Sequence, residues 1–169
     1  MPGEGMDRRT YRSAKFGSWE YSLTLDHKTV LASREDAVVF DYDRIARTPN
    51  TRRAHRLMVL AAREGRDGAL SEALFRGYFE QGRDIGDPEV LVAVAADVGI
   101  DAERAREFVA ENGEGLGEVL QAEAEIRTAG VASVPLVQIG GCLIPGAQPV
   151  STFMDALQTT LGRQIAPAA

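Results

Sequence analysis

The sequence has a single cysteine, Cys142, in 169 residues. No disulfide can form within the chain, and no set of thiolates is available to hold a metal. Histidine is almost as scarce. His27 and His55 are the only two, and neither has a cysteine or carboxylate at metal-ligand spacing, so no metal site and no cofactor are expected. Basic charge is in deficit, with 19 Lys and Arg against 25 Asp and Glu, a net charge of −6. Phosphate backbones call for a basic face, so no nucleic-acid partner is expected. No apolar run approaches the roughly 18 residues that cross a bilayer. The opening Met1–Asp7 is polar and acidic where a secretory leader is basic and then apolar. No membrane partner is expected, and the expected location is cytoplasmic.

What is present suits one soluble domain: 44% hydrophobic and 26% charged residues, a length that can bury a core without staples. No internal repeat and no low-complexity stretch interrupts it. Residues 1–7 read as a glycine-rich loop. The segment from Arg8 to about Leu31 reads as two helices broken near Gly17, with Ser18 as cap of the second and Trp19, Leu23 and Val30 as its apolar positions. Val38-Val39-Phe40 reads as a short extended run closed by Asp41-Tyr42-Asp43.

Helix punctuation is clearer in the middle. Pro49-Asn50-Thr51 opens a helix with Ala54, Leu57, Met58 and Ala61 on one face and Gly65 after its last turn. Ser71 is expected to cap a helix bearing Leu74, Phe75, Tyr78 and Phe79. Asp87-Pro88-Glu89 places an acceptor at the N-cap and proline at N1, where its missing N–H costs nothing. Asp101 caps a further short helix, and another runs from about Leu116 to Thr128, before Gly130. Then Val134–Ile139 alternates like a strand, Gly140-Gly141 signals a hairpin turn, Cys142–Ile144 returns, and Ser151 is expected to cap a last helix with Phe153, Met154, Leu157 and Leu161. The fold class is mostly α with one small β-hairpin. Two strands alone are marginal in water, so this hairpin needs a cover.

Little in these residues specifies chemistry. Cys142 lies in an expected strand, away from the helix N-terminus that would activate a thiolate, and reads as a small apolar residue. Asn50 or Thr51 reads as an N-cap. The run Arg52-Arg53-Ala54-His55-Arg56 reads as a solvated face. Gly113-Glu114-Gly115-Leu116-Gly117 has spaced glycines, but no strand precedes it and Glu114 sits inside, against a phosphate loop. No serine stands in a nucleophile-elbow context.

The stretch Arg47-Thr48-Pro49-Asn50-Thr51-Arg52-Arg53-Ala54-His55-Arg56-Leu57 resembles the P-N-T-x-x-A-H-R-L motif of DsbA-like (FrnE-type) thioredoxin-fold proteins. Ala73–Ile85 with Asp87-Pro88-Glu89-Val90-Leu91, Gly130–Pro135 as G-V-x-x-V-P, and Gly146-Ala147-Gln148-Pro149 are similar to the same family in the same order. The resemblance covers nearly the whole chain. It implies a partial thioredoxin-like fold with a helical insertion domain, residues 1–129, and the C-terminal β-β-α half, 130–165. It also implies that the first βαβ unit, with the family's redox Cys-x-x-Cys, is absent, leaving an inactive, N-terminally truncated fragment of a disulfide oxidoreductase and no catalytic residue.

By the same resemblance Val134–Pro135 is a cis-proline loop whose backbone pairs with an extended substrate, and Asn50, Thr51 and His55 face the substrate groove. The implied partners are an extended peptide or small thiol, and a second copy or a missing N-terminal half covering the exposed hairpin. Loss of that cover would leave the chain marginal, dimeric or prone to aggregate. Two other readings stay open: a glutathione-binding 2-hydroxychromene-2-carboxylate isomerase or kappa glutathione transferase-like protein, and a non-catalytic module that recruits a partner strand.

Overall fold

Four helices build the main core because each presents short apolar side chains at helical spacing. These are α3 (Arg52–Arg63), α4 (Asp67–Phe79), α5 (Pro88–Asp97) and α6 (Ala102–Val109). Leu57, Leu60 and Ala61 from α3, Leu70 and Leu74 from α4, Leu91, Val94 and Ala95 from α5, and Phe108 and Val109 from α6 form one buried cluster. A fully buried leucine or phenylalanine contributes about 1.5–3 kcal/mol, so this cluster is the main source of stability. The computed structural model describes residues 2–34, 38–111, 113–131 and 133–165, with side chains described up to 162. Met1 of the expected opening loop and Ala132 of the expected G-V-x-x-V-P segment lie outside the described residues.

Two compact units divide the chain, Met1–Leu120 and Gln121–Ala169. The first begins with β1 (Met6–Asp7), which pairs antiparallel with β2 (Arg47–Thr48), so the opening segment is not wholly loop. Asp7 also caps α1 (Arg8–Phe16), accepting from Thr10 N–H at 2.8 Å. Gly17, at φ 91°, breaks the chain into α2 (Trp19–Ala32), and Ser18 caps α2 as expected by accepting from Tyr21 N–H. Val38-Val39-Phe40 forms no strand. Its backbone continues into a 3-10 turn at Tyr42–Arg44, and Phe40 packs edge-on against Phe79 with ring centroids 5.2 Å apart. Aromatic packing replaces a sheet there.

The expected cap of α4 at Ser71 lies five residues beyond the observed N-cap, Arg66. Gly65, at φ 68°, turns the chain so that Arg66 N–H returns to Ala61 O, and the helix starts at Asp67, whose charge suits a helix N-terminus. The face shifts accordingly. Leu70, Leu74 and Gly77 are buried, while Phe75, one residue off that stripe, is 62% exposed. α5 and α6 start where the sequence marks them, with Asp87 and Asp101 each accepting backbone N–H groups. α7 (Leu116–Thr128) follows.

The second unit carries a hairpin of β3 (Leu136–Ile139) and β4 (Cys142–Pro145), then α8 (Val150–Ile165). Leu136 pairs with Pro145 and Ile139 with Cys142. β3 starts at Leu136 rather than Val134, since Pro135 has no N–H to offer a ladder; its carbonyl accepts from Gly146 N–H at 2.8 Å. The Val134–Pro135 peptide bond is cis. α8 begins at Val150, so Ser151 is inside the helix and not its cap; Pro149 O accepts from Thr152 N–H. Its expected apolar stripe is only partly covered. Ala156 is buried, but Met154, Leu157 and Leu161 are exposed. A two-stranded hairpin is too narrow to cover a whole helix face.

Among the described residues the sheets are these two antiparallel pairs, and no helix is long and apolar enough to cross a membrane.

Candidate functional site

Pro49-Asn50-Thr51 is held in place from several sides, because its neighbours fix its backbone. β1–β2 pairing anchors Thr48. Asn50 Nδ2 donates to Pro2 O at 3.2 Å, and Arg47 bridges Glu4 O and the Asp84 carboxylate. Gly5 takes φ 71° where a Cβ would lie 2.6 Å from Thr48 O, so only glycine permits this approach. Thr51 occupies the N-cap of α3 but makes no side-chain cap; Asn50 Oδ1 instead accepts from Arg52 N–H at 3.1 Å. An Asx-type turn one residue earlier does the capping.

His55, one turn into α3, is exposed. Among the described residues no group of His, Cys, Asp and Glu could hold a metal. Arg56 corrects the expectation of a solvated basic run. It is only 3% exposed, its Nε donates to Glu114 O at 3.0 Å, and its Nη2 has no partner among the described residues. Burial lowers its pKa below the ordinary arginine value, with the nearby Arg53 charge adding to the effect. A Cβ on Gly113 would lie 2.2 Å from that Nη2, so the glycine is there for close packing and not for a phosphate.

Val134 and Pro135 belong to the second unit and are both exposed, Val134 at 85%. Asn50, Thr51 and His55 belong to the first. The structure thus brings each set together within its own unit. Cys142 is a free, half-buried thiol at the start of β4.

Sequence reading missed one polar cluster. Asp26, almost fully buried on α2, pairs with two arginines of α1: Arg8 Nη2 to Oδ2 and Arg12 Nη2 to Oδ1, each at 2.7 Å. Arg12 Nε also donates to the buried Ser22 Oγ. The Arg8 guanidinium lies over the Trp19 and Tyr42 rings, 5.6 and 5.2 Å from their centroids. Burial raises the Tyr42 and Tyr78 phenols above their ordinary pKa. The signal was legible: Arg8 and Arg12, and Ser22 and Asp26, each stand four apart and so share a helix face.

Exposed Phe75 lines, with Val38, Val39, Phe40 and Phe79, a groove of about 670 Å³ in the first unit, edged by Glu72, Arg76 and Glu80.

The model of the DSBA-like thioredoxin domain matches residues 26–158. Among solved structures, a probable DsbA oxidoreductase from Streptomyces coelicolor is similar at 29% identity and TM-score 0.84, over 98% of this chain and 71% of that one. A search of the curated proteins finds no match. A match over this much of the chain, with the helices and the late β-β-α element in place, shows that the protein belongs to the DSBA-like thioredoxin domain family.

Proposed function

We propose that this chain is a FrnE-type, DsbA-like scaffold that binds the substrate of thiol–disulfide exchange without performing the exchange itself. Disulfide exchange needs an attacking thiolate and, in catalytic dithiols, a second thiol to resolve the mixed disulfide. The observation that carries the reading is Cys142, the sole cysteine, which stands at the start of a hairpin strand and not at a helix N-terminus. The redox pair would have to come from outside these 169 residues. A cytoplasmic setting suits a chain with a single thiol.

On this reading Val134 and Pro135 of the second unit offer exposed backbone to an extended peptide or small thiol, and Asn50, Thr51 and His55 of the first are further substrate-binding residues. Residues 1–129 act as the helical insertion and 130–165 as the β-β-α half. High exposure of Val134 beside β3 and the rigid seating of Asn50 support that assignment. The purified chain is expected to show no turnover in an insulin-reduction assay. Turnover that survives Cys142→Ser would overturn the reading. A parallel glutathione titration separates the isomerase-like alternative, which saturable binding would favour.

A further inference from the structure

In the first unit α1, the turn at Tyr42–Arg44 with Ile45, β2 and α4 line a small, partly open cavity of about 230 Å³. Its polar lining comes from Arg8, Arg12, Tyr11, Tyr42, Thr48 and Tyr78, and its apolar lining from Ile45 and Phe79; no carboxylate is among the lining residues. Both guanidiniums lean on the single carboxylate of Asp26. The three charges therefore sum to one uncompensated positive charge beside the cavity. Arg8 is 5% exposed, and its Nη2 donates to Asp26 Oδ2 at 2.7 Å. A guanidinium carries five N–H donors, so the pair retains donors beyond those given to Asp26 and Ser22.

A helix staple would need only one arginine for one aspartate. The second makes sense if something anionic completes the site. From this geometry we propose that the cavity is a binding site for a small organic monocarboxylate, held between the Arg8 and Arg12 guanidiniums with its short apolar tail against Ile45 and Phe79. The size of the cavity and the single excess charge set the class. A carboxylate offers two oxygens to parallel N–H groups and cancels one charge. A phosphate dianion would leave net negative charge buried, which is costly. The half-buried Tyr42 and Tyr78 phenols beside the cavity have pKa values raised by desolvation, and Tyr78 OH donates to Arg47 O.

Trp19 is the only tryptophan and lies over Arg8, so its fluorescence reports on the site. The full chain is titrated with butyrate, inorganic phosphate and chloride at constant ionic strength. A saturable change is expected with butyrate alone, weakened about tenfold or more in Arg12→Gln. That variant keeps the Arg8–Asp26 pair. Should it lose its helical circular dichroism, Arg12→Lys retains the charge while removing the planar fork and is expected to weaken binding likewise. Saturation with none of the anions overturns the proposal, as does butyrate binding unchanged in the folded variants. Phosphate binding as tightly as butyrate overturns the carboxylate assignment.

Discussion

Asp26 holds two helices together through two arginines, and removing its charge leaves two cations, the buried Arg8 and the half-buried Arg12, without their counter-charge. Breaking a buried pair from one side typically costs about 3–5 kcal/mol, far more than an exposed pair is worth. Asp26→Asn is therefore expected to lower the unfolding free energy measured in urea by an amount in that range. A loss under about 1 kcal/mol would mean that the cluster is solvated in solution. Asp7 acts through another route. Thr10 donates both its backbone N–H and its hydroxyl to the Asp7 carboxylate, which lowers its pKa below 3.8, the backbone bond being the main cause. A depressed folded-state pKa adds stability that is complete above the unfolded value and lost as pH falls through the folded one. The stability gap between wild type and Asp7→Ala should thus be constant above about pH 4 and close below it. Equal pH slopes for the two proteins would contradict the capping role.

Among the elements, the hairpin turn is tightly constrained. Gly140 takes φ 57°, and a Cβ there would meet Thr160 Oγ1 at 2.6 Å and Cγ2 at 2.7 Å on α8. Left-handed backbone costs an L-residue roughly 1–2 kcal/mol before any clash. Gly140→Ala should exceed that cost in urea unfolding, and adding Thr160→Ala should recover the part due to contact; an effect the second substitution leaves untouched would place the whole cost in the backbone. Helix starts show how legible local chemistry was. Ser18, Asp87 and Asp101 cap as their side chains suggest, since the acceptor and the N–H lie within three residues. Ser71 and Ser151 are equally good caps by type but sit inside α4 and α8. Upstream turns at Gly65 and Pro149 had already started those helices, so the cap signal was present without being used.

Across the molecule, burial is unequal. The first unit holds the cluster of α3–α6, whereas Ile144 and Ala156 are the buried hydrophobic residues of the second among those described. Local stability follows buried apolar contact. Amide hydrogen exchange should therefore be slowest in α3, α5 and α6 and markedly faster in β3 and β4. Hairpin amides as protected as those of Leu57 and Leu91 would show that the exposed Leu143, Val150 and Met154 are covered in solution.

The sequence by itself determined the helical cadence, the late β-β-α element, the family and the shortage of thiols, because caps, turns and residue counts are local properties. Only the tertiary structure decided that Arg56 and Arg8 are buried, that Phe75 is not, and that Arg47 and Thr48 form a strand. The candidate site divides the same way. Asn50 as an acceptor was readable from its own neighbours, while its tether to Pro2 and the charge cluster on Asp26 join residues distant in the chain. Burial and long-range pairing depend on which surfaces meet, and a residue's neighbours in sequence do not specify its neighbours in space.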